Sequence, residues 1–423
     1  MPVPGPRRIL AAITYALISI FIFNSIGPAQ SRPQRPEAPA GSEKKNQRPV
    51  PKTPEQIKKE EEQRKLEEEE KNAIVTDEVI AVDTNIVNID TVVINKKTSQ
   101  IVTGLKKENF AIFEDGVKQN ITNFTTPEAP ITVSLVLEYS KWTETFGVMS
   151  GGGYGTNNGM SEVIRPVAYF LSRFIKPPND YASVIAFDMR PTPITDFTND
   201  PNRLRQTVDL LVRNSPAFRE NNLFDAVKFA LVGGKADSVV LEHSENRWSE
   251  YSGMISVKAK RRAIILVASG IDTFSKVNFD DVRKLVQEAG IPIYVISTAN
   301  LFCKMYCDRL DPSRVMPGTP DRLDFDMARN QMNVLAKESG GMHFPMTFES
   351  EVPNYLNSIN SLLRSQYSLA YDLTEGHVAG KKYKLQVKVD VDGDGVFDDK
   401  QYIVQHRLYY VTPGGEKSPA LKK

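Results

Sequence analysis

Cysteine, histidine and tryptophan are scarce in this 423-residue chain, at two, four and two residues. Two cysteines cannot build a disulfide-stapled scaffold, and no histidine or second cysteine pair lies near them in sequence to complete a zinc site. The histidines, His243, His343, His377 and His406, are scattered. None stands in a zinc-binding pair or a nucleophile elbow, so no residue pattern marks a catalytic centre. An excess of charge is missing too. Lys plus Arg number 53 and Asp plus Glu 52, a net charge of +1, which gives no overall pull toward nucleic acid or an anionic membrane surface. The glycine-rich stretch 145–159 lacks the Gly-Lys-Ser/Thr of a phosphate loop, which excludes nucleotide binding there. What remains is a globular composition, 40% hydrophobic and 25% charged, at a length suited to two or three folding units.

The amino terminus carries Arg7 and Arg8 before a largely apolar run, Ile9 to Phe23, followed by Gly27 and Ala29. That is the pattern of a signal peptide over residues 1–29. The run is short of the ~20 apolar residues of a spanning helix. A cleaved signal and a retained anchor both remain open. Either exports the rest of the chain to the periplasm, cell envelope or exterior, and only an uncleaved segment would touch a membrane. Residues 30–72 form a spacer: a Pro-rich polar stretch, then the capping box Thr53-Pro54-Glu55-Gln56 and a highly charged helical pattern.

Residues 73–130 are β-rich, with strand-like runs Val79–Val82, Ile86–Ile89, Thr91–Ile94 and Ala111–Phe113, and turns at Asn95–Thr98 and Glu114–Gly116. Over 131–365, buried-strand patterns such as Ile131–Leu137 and Ala263–Val267 alternate with helical ones. This alternation predicts an α/β, doubly wound, mostly parallel sheet. β patterns return over 366–412, and 413–423 is a polar tail. Left apart, the two flanks would carry unprotected edges, so pairing of both into one β module, with the α/β domain inserted between them, is the expected solution.

Cys303 and Cys307 stand one helical turn apart, a spacing that brings both to one helix face within disulfide reach. In an oxidising compartment a local disulfide is favoured over two free thiols.

In open α/β sheets, ligands bind beyond the carboxyl ends of the strands. Three segments fall there: Glu138-Tyr139-Ser140-Lys141-Trp142, Glu220-Asn221-Asn222-Leu223 and Ala268-Ser269-Gly270-Ile271-Asp272. With Val82–Val87, Leu105–Phe110, Ile112–Gly116, Ala186–Asp188 and Gln405–Tyr410 in that order along the chain, the sequence resembles the von Willebrand factor type A family, and within it the bacterial exported subfamily of acidobacterial type. The resemblance covers about 82–413. It implies a metal-ion-dependent adhesion site built from Asp-x-Ser-x-Ser, a Thr and an Asp-Gly. Here Glu138 stands for the first Asp, Ser140 matches, Trp142 replaces the second Ser, Asn221 stands at the Thr and Ser269 replaces the last Asp. With one carboxylate left, Mg²⁺ binding is expected to fail, because Mg²⁺ leans on carboxylates and dehydrates reluctantly. The degenerate site is then Glu138, Ser140, Asn221 and Ser269, with Asp272 close by in sequence.

A second cation candidate is Asp390-Val391-Asp392-Gly393-Asp394-Gly395-Val396-Phe397-Asp398-Asp399. Asp390, Asp392, Asp394, the Val396 carbonyl and Asp398 fall in the order of a calcium loop, but Gln401 replaces the final bidentate Glu. The competing reading is a polar Asp-Gly hairpin turn.

The expected function is exported protein–protein binding, in adhesion or assembly, by a chain that is not an enzyme. The alternatives are a structural scaffold of an envelope complex and a hydrolase with an unmarked site. The partner is expected to be a protein and not nucleic acid. Exposed aromatics on 145–159 and on the polar insertion 233–260, which carries Trp248 and Tyr251, are candidate anchors, or else pack locally.

Overall fold

A computed structural model describes residues 86–140, 167–237, 248–307 and 320–412, apart from 128, 215, 217, 219, 260, 374 and 375. The signal or anchor segment, the spacer, the strand-like run Val79–Val82, Trp142, the loop 145–159 and the tail 413–423 lie outside the described residues.

The amino-terminal flank supplies β1 (Ile86–Asn95), β2 (Phe110–Glu114), β3 (Val117–Gln119) and β4 (Ile121–Thr125). The runs Ile86–Ile89 and Thr91–Ile94 are one strand, not two. Asp90 does not break it, because one strand serves two partners: its first half pairs with β13 (Tyr367–Asp372) and its second with β15 (Tyr402–Gln405). The β2–β3 turn uses Asp115 and Gly116, both at positive φ (45° and 87°), as a tight hairpin turn requires.

The α/β domain follows with β5 (Ile131–Glu138), a helical segment at 167–174, β6 (Tyr181–Phe187), β7 (Pro191–Thr198), α1 (Pro201–Arg213) and α2 (Leu223–Val232). A small hairpin, β8 (Gly234–Asp237) and β9 (Trp248–Tyr251), precedes β10 (Arg261–Ala268), α3 (Phe279–Ala289), β11 (Ile293–Ser297) and α4 (Ala299–Tyr306). The domain closes with α5 (Arg322–Ser339), β12 (His343–Pro345) and α6 (Val352–Arg364). After β13, the carboxyl-terminal flank adds β14 (Lys382–Val389), β15 and β16 (Tyr409–Val411).

The six-stranded sheet runs β12-β11-β10-β5-β6-β7, parallel except for the β6–β7 pair. Counted within the domain this is the order 3-2-1-4-5-6 with the third strand antiparallel, and it is the fold that the von Willebrand factor A resemblance implies. Every residue of β5 is buried, because both faces are covered. Val133, Leu135 and Leu137 pack with Phe170, Leu204, Phe302 and Ile359 on one face. On the other, Val136, Ile264 and Leu266 meet Val227, Leu285 and Leu335.

The two flanks combine. One sheet is β15-β1-β13-β4 and the other β16-β14-β2-β3, so each mixes strands from before and after the α/β domain. Val87, Ile89, Ile112, Leu369, Tyr371, Leu385 and Val387 form one core between them. This is a β sandwich with the α/β domain inserted.

Two linkers cross from sandwich to inserted domain, and Arg261 holds both. It is 1% exposed, at the start of β10. One terminal nitrogen donates to Thr126 O (3.0 Å) on the incoming linker and Gln366 O (2.7 Å) on the outgoing one; the other donates to Leu363 O and Arg364 O, both at 3.3 Å. Asp180 completes the junction. It accepts from Ile131 N–H (3.0 Å), Lys176 N–H (3.0 Å) and Arg364 Nη2 (2.5 Å).

Of the insertion 233–260, residues 233–237 and 248–259 are described, and they include the paired strands β8 and β9. Tyr251 is 1% exposed and is not a surface anchor. Its ring stacks on Phe229 at 5.1 Å and its hydroxyl bonds Ser134 (3.0 Å) and Ser183 (2.9 Å), so the two buried serine hydroxyls require it.

Arg261→Met removes the donors of four backbone carbonyls at once. It is expected to cost about 3 kcal/mol or more of stability, by the penalty for buried groups left unpaired, read as a lower urea midpoint; a change below about 1 kcal/mol would refute the clasp.

Candidate functional site

The carboxyl ends of β5 and β10 lie side by side where the strand order reverses, the place where open α/β sheets bind ligands. Glu138, the last residue of β5, is 2% exposed there. Its Oε1 accepts from Ser140 Oγ and from Asn221 Nδ2, each at 3.0 Å, and its Oε2 accepts from the Ser269 N–H at 2.6 Å. The structure thus brings Glu138, Ser140, Asn221 and Ser269 into one cluster, with three loops converging on one carboxylate. Burial pushes the Glu138 carboxyl above its ordinary value, and the bonds from Ser269, Ser140 and Asn221 oppose that push.

Asp272 does not join this cluster. Its Oδ1 accepts from Ser275 Oγ (2.5 Å) and Phe224 N–H (3.3 Å), capping the start of α2 instead. Sequence reasoning missed Thr273, whose hydroxyl accepts from Asn221 N–H (2.8 Å) and donates to Asn221 O (3.1 Å), tying the loop after β10 to the loop before α2. A short polar run, Asp272-Thr273-Phe274-Ser275, was the only signal. Asn221 Oδ1 and Asn222 Oδ1 are buried without a partner.

Met327 (52% exposed) lines an opening of about 480 Å³ at the same edge, with Gly270, Asp272, Thr273 and Asp324. Leu323 (65%) stands one turn before Met327 on α5, and Phe274 (54%) follows Thr273 in the chain. Cys303 and Cys307, at the end of α4, are joined by a disulfide.

The Asp390–Asp398 loop follows β14, away from this edge. One carboxylate oxygen each of Asp390, Asp392 and Asp398 lies within 4.8 Å of the others. Asp390 also accepts from Gly393 N–H (2.7 Å) and Gly395 N–H (2.8 Å), and Asp398 from Val391 N–H (2.9 Å). Asp394 turns to Val396 N–H (2.8 Å) and stands outside the cluster of three. Val396 is exposed, and Asp399 pairs with Lys388 at 3.3 Å.

Three histidines are described, and none adjoins Glu138. His377 pairs with Glu114 in the sandwich. His406 Nε2 accepts from Val387 N–H at 3.1 Å. His343, on β12, is held neutral with its pKa pushed down to about 4 by burial.

No family model matches the chain, and no curated protein does. Solved structures do. The chain is similar to proximal thread matrix protein 1 from the mussel byssus, at 12% identity and TM-score 0.38, over 59% of this chain and 50% of that one. It is similar to the PilB minor pilin from Streptococcus sanguinis, at 12% identity and TM-score 0.38, over 57% of this chain and 62% of that one. It is also similar to the vWF domain of the type V pili tip protein Mfa5 from Porphyromonas gingivalis, at 13% identity and TM-score 0.29, over 60% of this chain and 99% of that one. The chain therefore spans about half the length of the thread matrix protein. The likeness is one of fold, and the fold rests on the strand order itself.

Glu138→Ala strands the Asn221 amide and the Ser269 N–H, and is expected to lower stability by about 2–4 kcal/mol. Glu138→Gln keeps an acceptor for Ser269, and a flipped Asn221 offers its orphaned oxygen to the new amide. Chemical denaturation should therefore place Glu138→Gln within about 1 kcal/mol of wild type. Equal losses in both variants would contradict this geometry.

Proposed function

We propose that the chain is an exported, non-catalytic protein-binding module that docks a protein partner on the carboxyl edge of its α/β sheet, without a metal ion at Glu138. The observation that carries this reading is the pair of exposed apolar side chains Leu323 and Met327, one turn apart on α5, with Met327 lining the opening beside Gly270–Thr273 and Phe274 exposed next to Thr273. Exposed apolar surface at the ligand-facing edge favours a binding module over a scaffold that is merely covered elsewhere.

The loss of metal-centred adhesion is supported by the Glu138 contacts. Both carboxylate oxygens already accept hydrogen bonds, and the surrounding groups present hydrogens where a cation needs lone pairs. The residues present do not fit Mg²⁺: the orphaned oxygens of Asn221 and Asn222 are neutral, and Asp272 is committed to α2. Export rests on Arg7, Arg8 and the apolar run behind them. Among the described residues no helix is long and apolar enough to cross a membrane. The exported bacterial subfamily rests on the sequence segments quoted for it.

A partner from envelope extract should cross-link to wild type in fixed ratio and be lost with Leu323→Glu/Met327→Glu, whose circular dichroism should match wild type. Retention by the double variant would remove this surface from consideration. Turnover of ester, peptide or glycoside substrates by the purified chain would end the non-catalytic reading.

The cation reading moves to the loop after β14. Asp390, Asp392 and Asp398 gather three carboxylates, which repel one another without a counter-charge, and a structural Ca²⁺ held with the Val396 carbonyl suits them. Calorimetry should show Ca²⁺ binding to wild type, in the ~10⁻⁴–10⁻³ M range of extracellular modules, and none to Asp392→Ala/Asp394→Ala. No heat with wild type would leave a plain polar turn.

A further inference from the structure

A pocket of about 190 Å³ opens at the carboxyl edge on the β6–β7 side of Glu138, whereas the opening beside Gly270 lies on the β10 side. It is smaller than the roughly 300–1,000 Å³ of sites for drug-sized ligands, and it suits one side chain or a molecule of that size. Three elements meet around it. Phe187 and Asp188 come from the end of β6, Thr192 and Ile194 from β7, and Leu210 and Leu211 from the end of α1.

The wall is apolar over Phe187, Ile194, Leu210 and Leu211. Of the described residues that line it, Asp188 alone is charged. Its carboxylate accepts the Arg190 N–H at 3.4 Å, longer than an ordinary N–H···O bond. Arg190 itself is exposed and takes no part in the wall. Burial pushes the Asp188 carboxyl above its ordinary value, and backbone N–H groups and the charge of Arg190 oppose that push.

The end of α1 adds negative character. The last carbonyls of a helix carry the negative end of its dipole. Here the Leu210 carbonyl accepts from the Asn214 side-chain amide (2.7 Å) and the Leu211 carbonyl from the Tyr139 hydroxyl (2.8 Å). Tyr139 and Asn214 also line the pocket, so the helix end is fixed against it. Arg213, the basic residue of that last turn, is exposed and outside the wall.

A carboxylate and a helix carboxyl terminus beside an apolar wall call for a cation with an apolar body. A hard metal ion would be short of oxygen ligands, since one carboxylate is present. A guanidinium brings five N–H donors, too many for a wall that is mostly apolar. An ammonium brings three, and the Asp188 carboxylate and the Thr192 hydroxyl are acceptors for them. Its stem of methylenes covers apolar surface while the charge stays at the tip.

We propose that this pocket binds a primary amine on an unbranched aliphatic stem, the chemistry shared by a lysine side chain and a free alkylamine. The stem lies along Ile194, Leu210 and Leu211, and the ammonium pairs with Asp188. The pocket is independent of the docking surface on α5, so failure of either leaves the other standing.

The test is calorimetry on the full purified chain at neutral pH with n-butylamine, N-acetyl-L-lysine methylamide, n-butanol and butyrate as probes. One or both amines should bind. The alcohol has the same stem without the charge, and should bind more weakly by roughly tenfold or more, the margin of one charge-assisted bond. Butyrate should not bind. Binding of the lysine derivative assigns the pocket to a lysine side chain of another protein, and binding of n-butylamine alone assigns it to a free amine. Asp188→Asn keeps the size of the side chain and should lower amine affinity by a similar factor, with n-butanol unchanged. No binding of either amine would overturn the proposal. So would n-butanol or butyrate binding as tightly as the amines, or unchanged amine affinity in Asp188→Asn. If Asp188→Asn does not fold, the comparison of n-butylamine with n-butanol on wild type decides alone.

Discussion

One buried arginine sets the geometry on which the rest of the molecule depends. An inserted domain is joined to its host by two linkers, and two flexible tethers would leave its orientation free. Arg261 removes that freedom by donating to carbonyls of both linkers from the first residue of a central strand. No carboxylate pairs with it, so its charge is dispersed over backbone dipoles, and burial lowers its pKa. Asp180 and Arg364 lock the adjoining corner with charge-assisted bonds. The clasp fixes the sandwich against the amino-terminal end of the parallel sheet. It thereby creates a cleft beside Asp90, at the end of the sheet opposite Glu138.

The two ends of the α/β sheet are lined differently as a result. At the carboxyl edge, Glu138 has a donor on each oxygen, while Asn221 Oδ1 and Asn222 Oδ1 stay buried without a partner. At the other end, Asp90, Arg262, Glu288 and Arg407 line that cleft, of about 650 Å³.

The α/β core was legible in the sequence because buried parallel strands such as Ile131–Leu137 are continuous apolar runs and cannot be confused with their amphipathic helices. Pairing of the flanks followed from the cost of open edges. Asp90 divides two apolar runs in the sequence, and it is tolerated in mid-strand because its side chain lines the cleft and accepts from the Ser368 hydroxyl. Tyr251 misled. A polar insertion suggested solvent, but the two serines that need its hydroxyl lie on β5 and β6, 117 and 68 residues away.

The sequence by itself determined the fold class, the strand that ends in Glu138, and which loops would meet there, because periodicity and residue type are local properties. The family resemblance named the four residues at the edge, and the spacing of the aspartates marked the loop after β14. Only the tertiary structure decided what those residues do. The direction of each hydrogen bond to Glu138 depends on loops 131 and 83 residues apart arriving with an N–H or an amide group forward. In the same way, only the docking of sandwich on inserted domain brought Asp90, Arg262, Glu288 and Arg407 to the wall of one cleft.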